Sequence, residues 1–110
     1  LYEIFYGYHM GVTAENIASL YDISRQEQDE LGVLSHNRAR AAMKEGLFAQ
    51  EIAPVVIKTR KGDITFDTDE RPMDTNLEKM GKLRPAFKKE GSVTQPSFSL
   101  IGGSWKLFGF

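Results

Sequence analysis

Two capping signals bracket the longest element this chain can form. Ser24 stands three residues ahead of Glu27, the reciprocal pairing that opens a helix, and Gly46 is the residue that closes one. The interval predicts one long helix. Its expected inner stripe is narrow and small (Leu31, Leu34, Ala41, Ala42), and Arg25, Glu30, Arg38, Arg40 and Lys44 make the wet face. A shorter helix is expected ahead of it. Thr13 reads as its N-cap, Gly11 as the preceding change of direction, and Ala14, Ile17, Ala18 and Tyr21 follow at one-face spacing. His36 falls in the middle of the long helix and reads as a half-solvated helix histidine. Two histidines without clustered carboxylates at helical spacing make no metal site.

From Glu51 the period changes from helical to alternating. Val55–Val56–Ile57 and Ile64–Thr65–Phe66–Asp67, separated by Lys61–Gly62–Asp63, predict a β-hairpin. Its basic arm (Lys58, Arg60, Lys61) reads as a solvated hairpin rather than a phosphate site. The acidic run Asp67, Asp69, Glu70 lacks the glycine and the terminal glutamate of a calcium loop. Thr75-x-x-Glu78 is a second capping box, opening a short helix through Leu77 and Met80. Pro85 follows it, Lys88–Lys89–Glu90–Gly91 is a turn, and Val93–Thr94 are expected to begin another strand. The fold class read from these elements is α+β, helices plus a β-hairpin.

Composition narrows the function. A chain of 110 residues, 41% hydrophobic, suffices for one small domain. A formal net charge of −1 gives no electrostatic reason to expect nucleic acid or an anionic membrane. No apolar run approaches the roughly 20 residues that span a bilayer. The chain contains no cysteine, so disulfides, thiolate metal sites and a cysteine nucleophile within these residues are excluded. Because it begins at Leu1 rather than Met, it is expected to be a piece of something longer.

The stretch Tyr6–Asn16, Y-G-Y-H-M-G-V-T-A-E-N, places two tyrosines and His9 directly ahead of a helix start. Two readings stand side by side. In one, Tyr6, Tyr8 and Met10 alternate as a strand face and His9 is merely satisfied. In the other, His9 and Met10 line a pocket with one polar and one apolar wall.

This wording closely resembles the thiolase family, the acetyl-CoA acetyltransferases and 3-ketoacyl-CoA thiolases. So do I-S-R-x-E-Q-D-E at Ile23–Glu30, S-H-N-R-A at Ser35–Ala39, E-I-A-P-V at Glu51–Val55, K-G-D-I at Lys61–Ile64 and K-L-R-P-A-F at Lys82–Phe87. The resemblance implies the loop domain inserted in the αβαβα thiolase fold, the part that covers bound coenzyme A. It implies that His9 and Met10 lie near the thioester and acyl end of the substrate without attacking it. Arg71 falls near a family arginine that contacts the nucleotide part of coenzyme A; a guanidinium there can stack on adenine and pair with phosphate. Ser99 falls, by ungapped count, where a family serine binds the pantetheine.

The implied chemistry is acyl transfer between coenzyme A thioesters with carbon–carbon bond making or breaking. Acyl-CoA is the substrate and no separate cofactor is implied. The family's two cysteines and its Gly-His-Pro histidine belong to segments absent here, so no catalytic residue is assigned and these residues alone are expected to be inactive. The parent is expected to be a homo-tetramer or homo-dimer, cytoplasmic, or in the mitochondrial matrix or peroxisome if eukaryotic, with neither nucleic acid nor membrane as partner. The resemblance covers residues 1–94. Residues 95–110, Q-P-S-F-S-L-I-G-G-S-W-K-L-F-G-F, stand where the family reads A-G-N-A-S-G, and are expected to be an atypical hydrophobic tail from a frameshift, unspliced sequence or a recombination scar. The alternatives are a non-catalytic interaction protein docking through Phe98, Trp105, Phe108 and Phe110, or a non-functional truncated product.

Overall fold

The structure is a computed structural model and describes residues 5–96. Its elements run α1 (Met10–Leu20), α2 (Arg25–Lys44), β1 (Val55–Thr59), β2 (Gly62–Phe66) and α3 (Leu77–Gly81). Helices with one small antiparallel sheet make the fold α+β, as the change of period predicts. Apart from Gln95 and Pro96, the expected tail lies outside the described residues. The chain forms two compact units, one from its two ends (through Ser35 and from Thr75 onward) and one from His36–Asp74.

In the first unit, α1 starts earlier than expected. His9, not Thr13, is the N-cap, and its Nδ1 accepts the Gly11 N–H at 3.0 Å. Thr13 sits inside the helix, its hydroxyl buried without a partner among the described residues. Gly11, Ala14, Glu15 and Ala18 form the buried face. Tyr21 leaves the predicted stripe altogether: it is the C-cap and is 70% exposed. The helix closes with Asp22 at φ 53°, where Ile23 N–H reaches the Ala18 carbonyl at 2.8 Å. That is the overlapping bond pattern of a left-handed helix stop, filled here by one of the few non-glycine residues that tolerate it.

The start of α2 matches the capping box. Ser24 N–H donates to Glu27 Oε2 at 2.8 Å and Glu27 N–H donates to Ser24 Oγ at 3.2 Å. Its buried face does not match. Gln28, Asp29 and Gly32 are inside, while Leu31 and Leu34 are 47% and 42% exposed. Gly32 is buried because the Met80 side chain lies over it, close enough that an added Cβ would stand 3.2 Å from the methyl carbon. Arg25, expected on the wet face, turns inward. Its Nε donates to both Asp29 carboxylate oxygens at 2.9 Å, and its Nη2 donates to the carbonyls of Met80 at 2.7 Å and Leu83 at 2.9 Å. One guanidinium thus caps the carbonyl end of α3 and pins it to α2.

The N-cap of α3 is Asn76 rather than Thr75, with Oδ1 accepting from Lys79 N–H at 2.9 Å. Asn and Thr both cap helices, so the neighbouring pair left the register ambiguous by one residue. Val93 and Thr94 are buried but form no strand. The Val93 N–H goes to the Glu15 carboxylate and its carbonyl accepts from Ala86 N–H at 3.0 Å, so both of its backbone groups are satisfied outside any ladder. The core contains Ala14, Ala18, Met80 and Val93.

In the second unit, Gly46 (φ 71°) ends α2 as expected, with Leu47 N–H donating to Ala42 O at 3.0 Å and Gly46 N–H to Met43 O at 3.1 Å. Ala42 is half-buried and Ala41 exposed, so the predicted stripe fails at this end too. The hairpin pairs Val55 with Phe66, Ile57 with Ile64 and Thr59 with Gly62. Arg60 and Lys61 therefore make the turn, and Gly62 and Asp63, expected within it, belong to β2. Arg60 and Lys61 keep negative φ, and Gly62, at φ 118°, supplies the positive φ that lets the chain re-enter the strand. Val55, Ile57, Ile64 and Phe66 share one face, and all four are exposed. His36 is half-buried and its Nδ1 accepts Met73 N–H at 3.2 Å, while Arg40 pairs with Asp74 at 3.1 Å.

Two outcomes test these contacts. Hydrogen bonds from the Ser24 backbone N–H and hydroxyl hold the Glu27 carboxyl below its usual range. A carboxyl depressed on folding stabilises the native state above the ordinary carboxylate range, and that contribution fades as pH falls through the lowered value. Urea melts of Glu27→Gln should therefore lose less stability on acidification than those of the unaltered chain. Separately, Arg25→Lys keeps the charge but cannot serve two carbonyls and a carboxylate at once. Chemical denaturation should show a loss of about 1.5–3 kcal/mol, the size of hydrogen bonds to a charged group.

Candidate functional site

The candidate site is built on the first turn of α1. His9 precedes the helix in extended backbone (φ −64°, ψ 142°), and its carbonyl accepts from Val12 N–H at 2.8 Å while its ring nitrogen takes the Gly11 N–H. Imidazole thus replaces the usual hydroxyl or carboxamide cap. The outer flank of the ring stacks on Phe87, with centroids 5.3 Å apart and planes 24° from parallel. Tyr6 and Tyr8 stack on one another at 5.8 Å and 10°. They do not continue into Met10 as one strand face, because Met10 is already helical.

Gly11 explains how Phe87 comes so close. A Cβ at this position would overlap Cγ and Cδ1 of the Phe87 ring, so the helix must present bare backbone there. One turn further on, Glu15 is 5% exposed. Its Oε1 accepts Val93 N–H at 2.8 Å and its Oε2 accepts Ser92 N–H at 3.1 Å. Gly91 has no side chain where one would overlap this carboxylate. From α2, Gln28 Nε2 donates to Ser92 Oγ at 2.8 Å and to the Ile23 carbonyl at 3.3 Å. Residues 86–93 are therefore moored to α1 at Phe87 and again at Ser92–Val93, and to α2 at Ser92.

Of the residues singled out from the sequence, His9 and Met10 adjoin at this helix start and both are half-buried. Arg71 belongs to the His36–Asp74 unit, where it is exposed and its backbone N–H donates to Asp69 Oδ1 at 2.9 Å. Ser99 lies outside the described residues. Phe87, Glu15, Gly91 and Gln28 carry the site's geometry and were not singled out. In the sequence Phe87 is only the last letter of K-L-R-P-A-F, and a lone acid in a helix reads as solvated until a partner is known.

Gly11→Ala should be costly. An added methyl usually gains about 1 kcal/mol of helix propensity, but overpacking against a ring typically costs 1–3 kcal/mol or more, so the clash wins. Thermal melts should show Gly11→Ala less stable than the unaltered chain. The same substitution placed on Phe87→Ala should cost far less, because the obstructing ring is gone.

Residues 1–103 match the family profile described as thiolase, N-terminal domain. The chain is 57% identical over 101 residues to the acetyl-CoA acetyltransferase of Syntrophomonas wolfei, covering 92% of this chain and 26% of that protein. It is 57% identical over 96 residues to a beta-ketothiolase of Cupriavidus necator, covering 86% and 24%. The solved S. wolfei acetyl-CoA acetyltransferase superposes with a TM-score of 0.75 at 54% identity, over 81% of this chain and 22% of that one. Human mitochondrial 3-ketoacyl-CoA thiolase does so with a TM-score of 0.76 at 44% identity, over 86% and 24%. The chain spans about a quarter of the length of these relatives. A profile match along most of the chain and shared backbone at high identity give one conclusion: the chain belongs to the thiolase family, within its N-terminal domain.

Proposed function

We propose that this chain is the coenzyme A-covering loop domain of an acetyl-CoA C-acetyltransferase, an enzyme that moves acyl groups between coenzyme A thioesters while forming or breaking a carbon–carbon bond. The observation that carries the proposal is 57% identity over 92% of the chain to a protein named acetyl-CoA acetyltransferase. On this reading His9 and Met10 shape the acyl end of the pocket, one offering a polar edge and the other a polarizable thioether. Arg71, exposed and long, reaches for the nucleotide end, where its planar fork suits both adenine and phosphate. Ser99 is assigned the pantetheine. The nucleophile that takes the acyl group in this chemistry is a thiolate, and this chain contains no cysteine. These residues bind and cover; the covalent steps belong to other parts of the enzyme, which we assign as a homo-tetramer or homo-dimer.

The test is a titration of the 110-residue chain with acetyl-CoA, followed by backbone amide resonances. Weak binding in the millimolar range is expected, with shifts at His9, Met10 and the residues flanking Arg71. Arg71→Ala should weaken it about tenfold, the equivalent of about 1.4 kcal/mol. No thiol should be released from acetoacetyl-CoA. Unchanged resonances at millimolar acetyl-CoA would overturn the binding assignment, and thiol release would overturn the division of labour.

A further inference from the structure

We infer that His36, with Arg40 beside it, is the positioning residue for Arg71: these two side chains tie down the backbone just beyond it, so that the guanidinium extends from a fixed base. The inference deepens the coenzyme A-covering reading and rests on it for what Arg71 touches.

The support is one face of α2. His36 and Arg40 stand four residues apart, hence one above the other on the helix. His36 Nδ1 accepts the Met73 N–H at 3.2 Å, and Arg40 Nη1 pairs with Asp74 Oδ1 at 3.1 Å. The two ties therefore hold consecutive residues. The ion pair lies in solvent, its side chains 46% and 79% exposed, and pairs of that kind contribute little. His36 is half-buried and its bond reaches the main chain, so the larger share of the hold falls to it.

Ahead of Met73 the chain has little freedom left. Arg71 N–H donates to Asp69 Oδ1 at 2.9 Å, a turn closed by a side chain. Pro72 fixes its own φ and disfavours helical backbone at Arg71 before it. The main chain is thus anchored on both sides of Arg71, by Asp69 at one end and through Met73 and Asp74 at the other. The Arg71 residue itself stays exposed. A cation whose base is already ordered loses less conformational entropy when it meets its ligand, and binds more tightly for that reason. Neither His36 nor Arg40 is required to touch the ligand.

Amide relaxation and acetyl-CoA titration of the 110-residue chain test this together. His36→Phe keeps a ring in place and removes the acceptor. Without ligand, the amides of Arg71 and Met73 should lose order on the picosecond-to-nanosecond timescale, while those of α1, in the other unit, stay unchanged as an internal control. With acetyl-CoA, binding should weaken about threefold, the worth of one modest hydrogen bond. In an Arg71→Ala chain the same substitution should weaken it no further, because a residue that acts through Arg71 has nothing left to position. If His36→Phe does not fold, His36→Ala removes the acceptor without adding bulk and suits the helix, and the same results are expected. Unchanged amide order in a folded variant overturns the inference. So does a His36 effect on affinity that survives in full beside Arg71→Ala. Lost amide order in the His36 variant, together with an Arg71→Ala chain that binds acetyl-CoA as tightly as the unaltered one, supports the anchoring and overturns only the nucleotide assignment.

Discussion

The structure of the first unit depends on one buried carboxylate. Glu15 gives up most of its hydration, and a charge so placed is tolerated only when its oxygens find donors. It finds two backbone N–H groups of a segment nearly eighty residues away in the chain. The arrangement satisfies both sides, since Ser92 and Val93 belong to irregular backbone with no ladder to pair them. Removing the carboxylate would orphan the buried Val93 N–H, worth about 1–3 kcal/mol when left unmade, and the half-buried Ser92 N–H beside it. Arg25 plays the reciprocal part, where a cation satisfies the Met80 carbonyl of a five-residue helix and the Leu83 carbonyl just past its end.

Steric economy accompanies these polar clamps. Where α1 and α2 meet the returning segment they present Gly11, Ala14, Ala18 and Gly32, and the bulk comes from Phe87 and Met80 on the other side. Close backbone approach brings the helix start within reach of an aromatic ring, so the imidazole that caps α1 also stacks on Phe87. Among the described residues few large apolar side chains are buried, and the apolar face of the hairpin is exposed. A two-stranded hairpin of this kind is marginal by itself. The chain accounts for about a quarter of the length of its relatives.

Legibility in the sequence tracked how local each interaction is. The Ser24–Glu27 capping box, the Gly46 stop and the existence of the hairpin all involve residues within a few positions of one another, and the structure has all three, with the turn moved back to Arg60–Lys61. The N-cap of α1 was misplaced by four residues, because a histidine is rarely a cap and Thr13 looked like a better one. The inner face of α2 was misread for a deeper reason. Periodicity ranks positions by hydrophobicity, whereas Gln28, Asp29 and Gly32 are buried by what lies against them: Ser92, Arg25 and Met80.

The amino-acid order alone therefore determined the helices and hairpin, the absence of a thiol nucleophile, and the family words that mark His9 and Met10. Those properties are either local or purely chemical. Tertiary structure alone decided that Glu15 is a clamp, that Arg25 reaches the carbonyls of Met80 and Leu83, and that Phe87 lies on His9. Each of these depends on bringing together residues separated by more than fifty positions. A one-dimensional pattern contains no distance between such residues, and the hydrogen bonds that define them come into existence only when the chain closes.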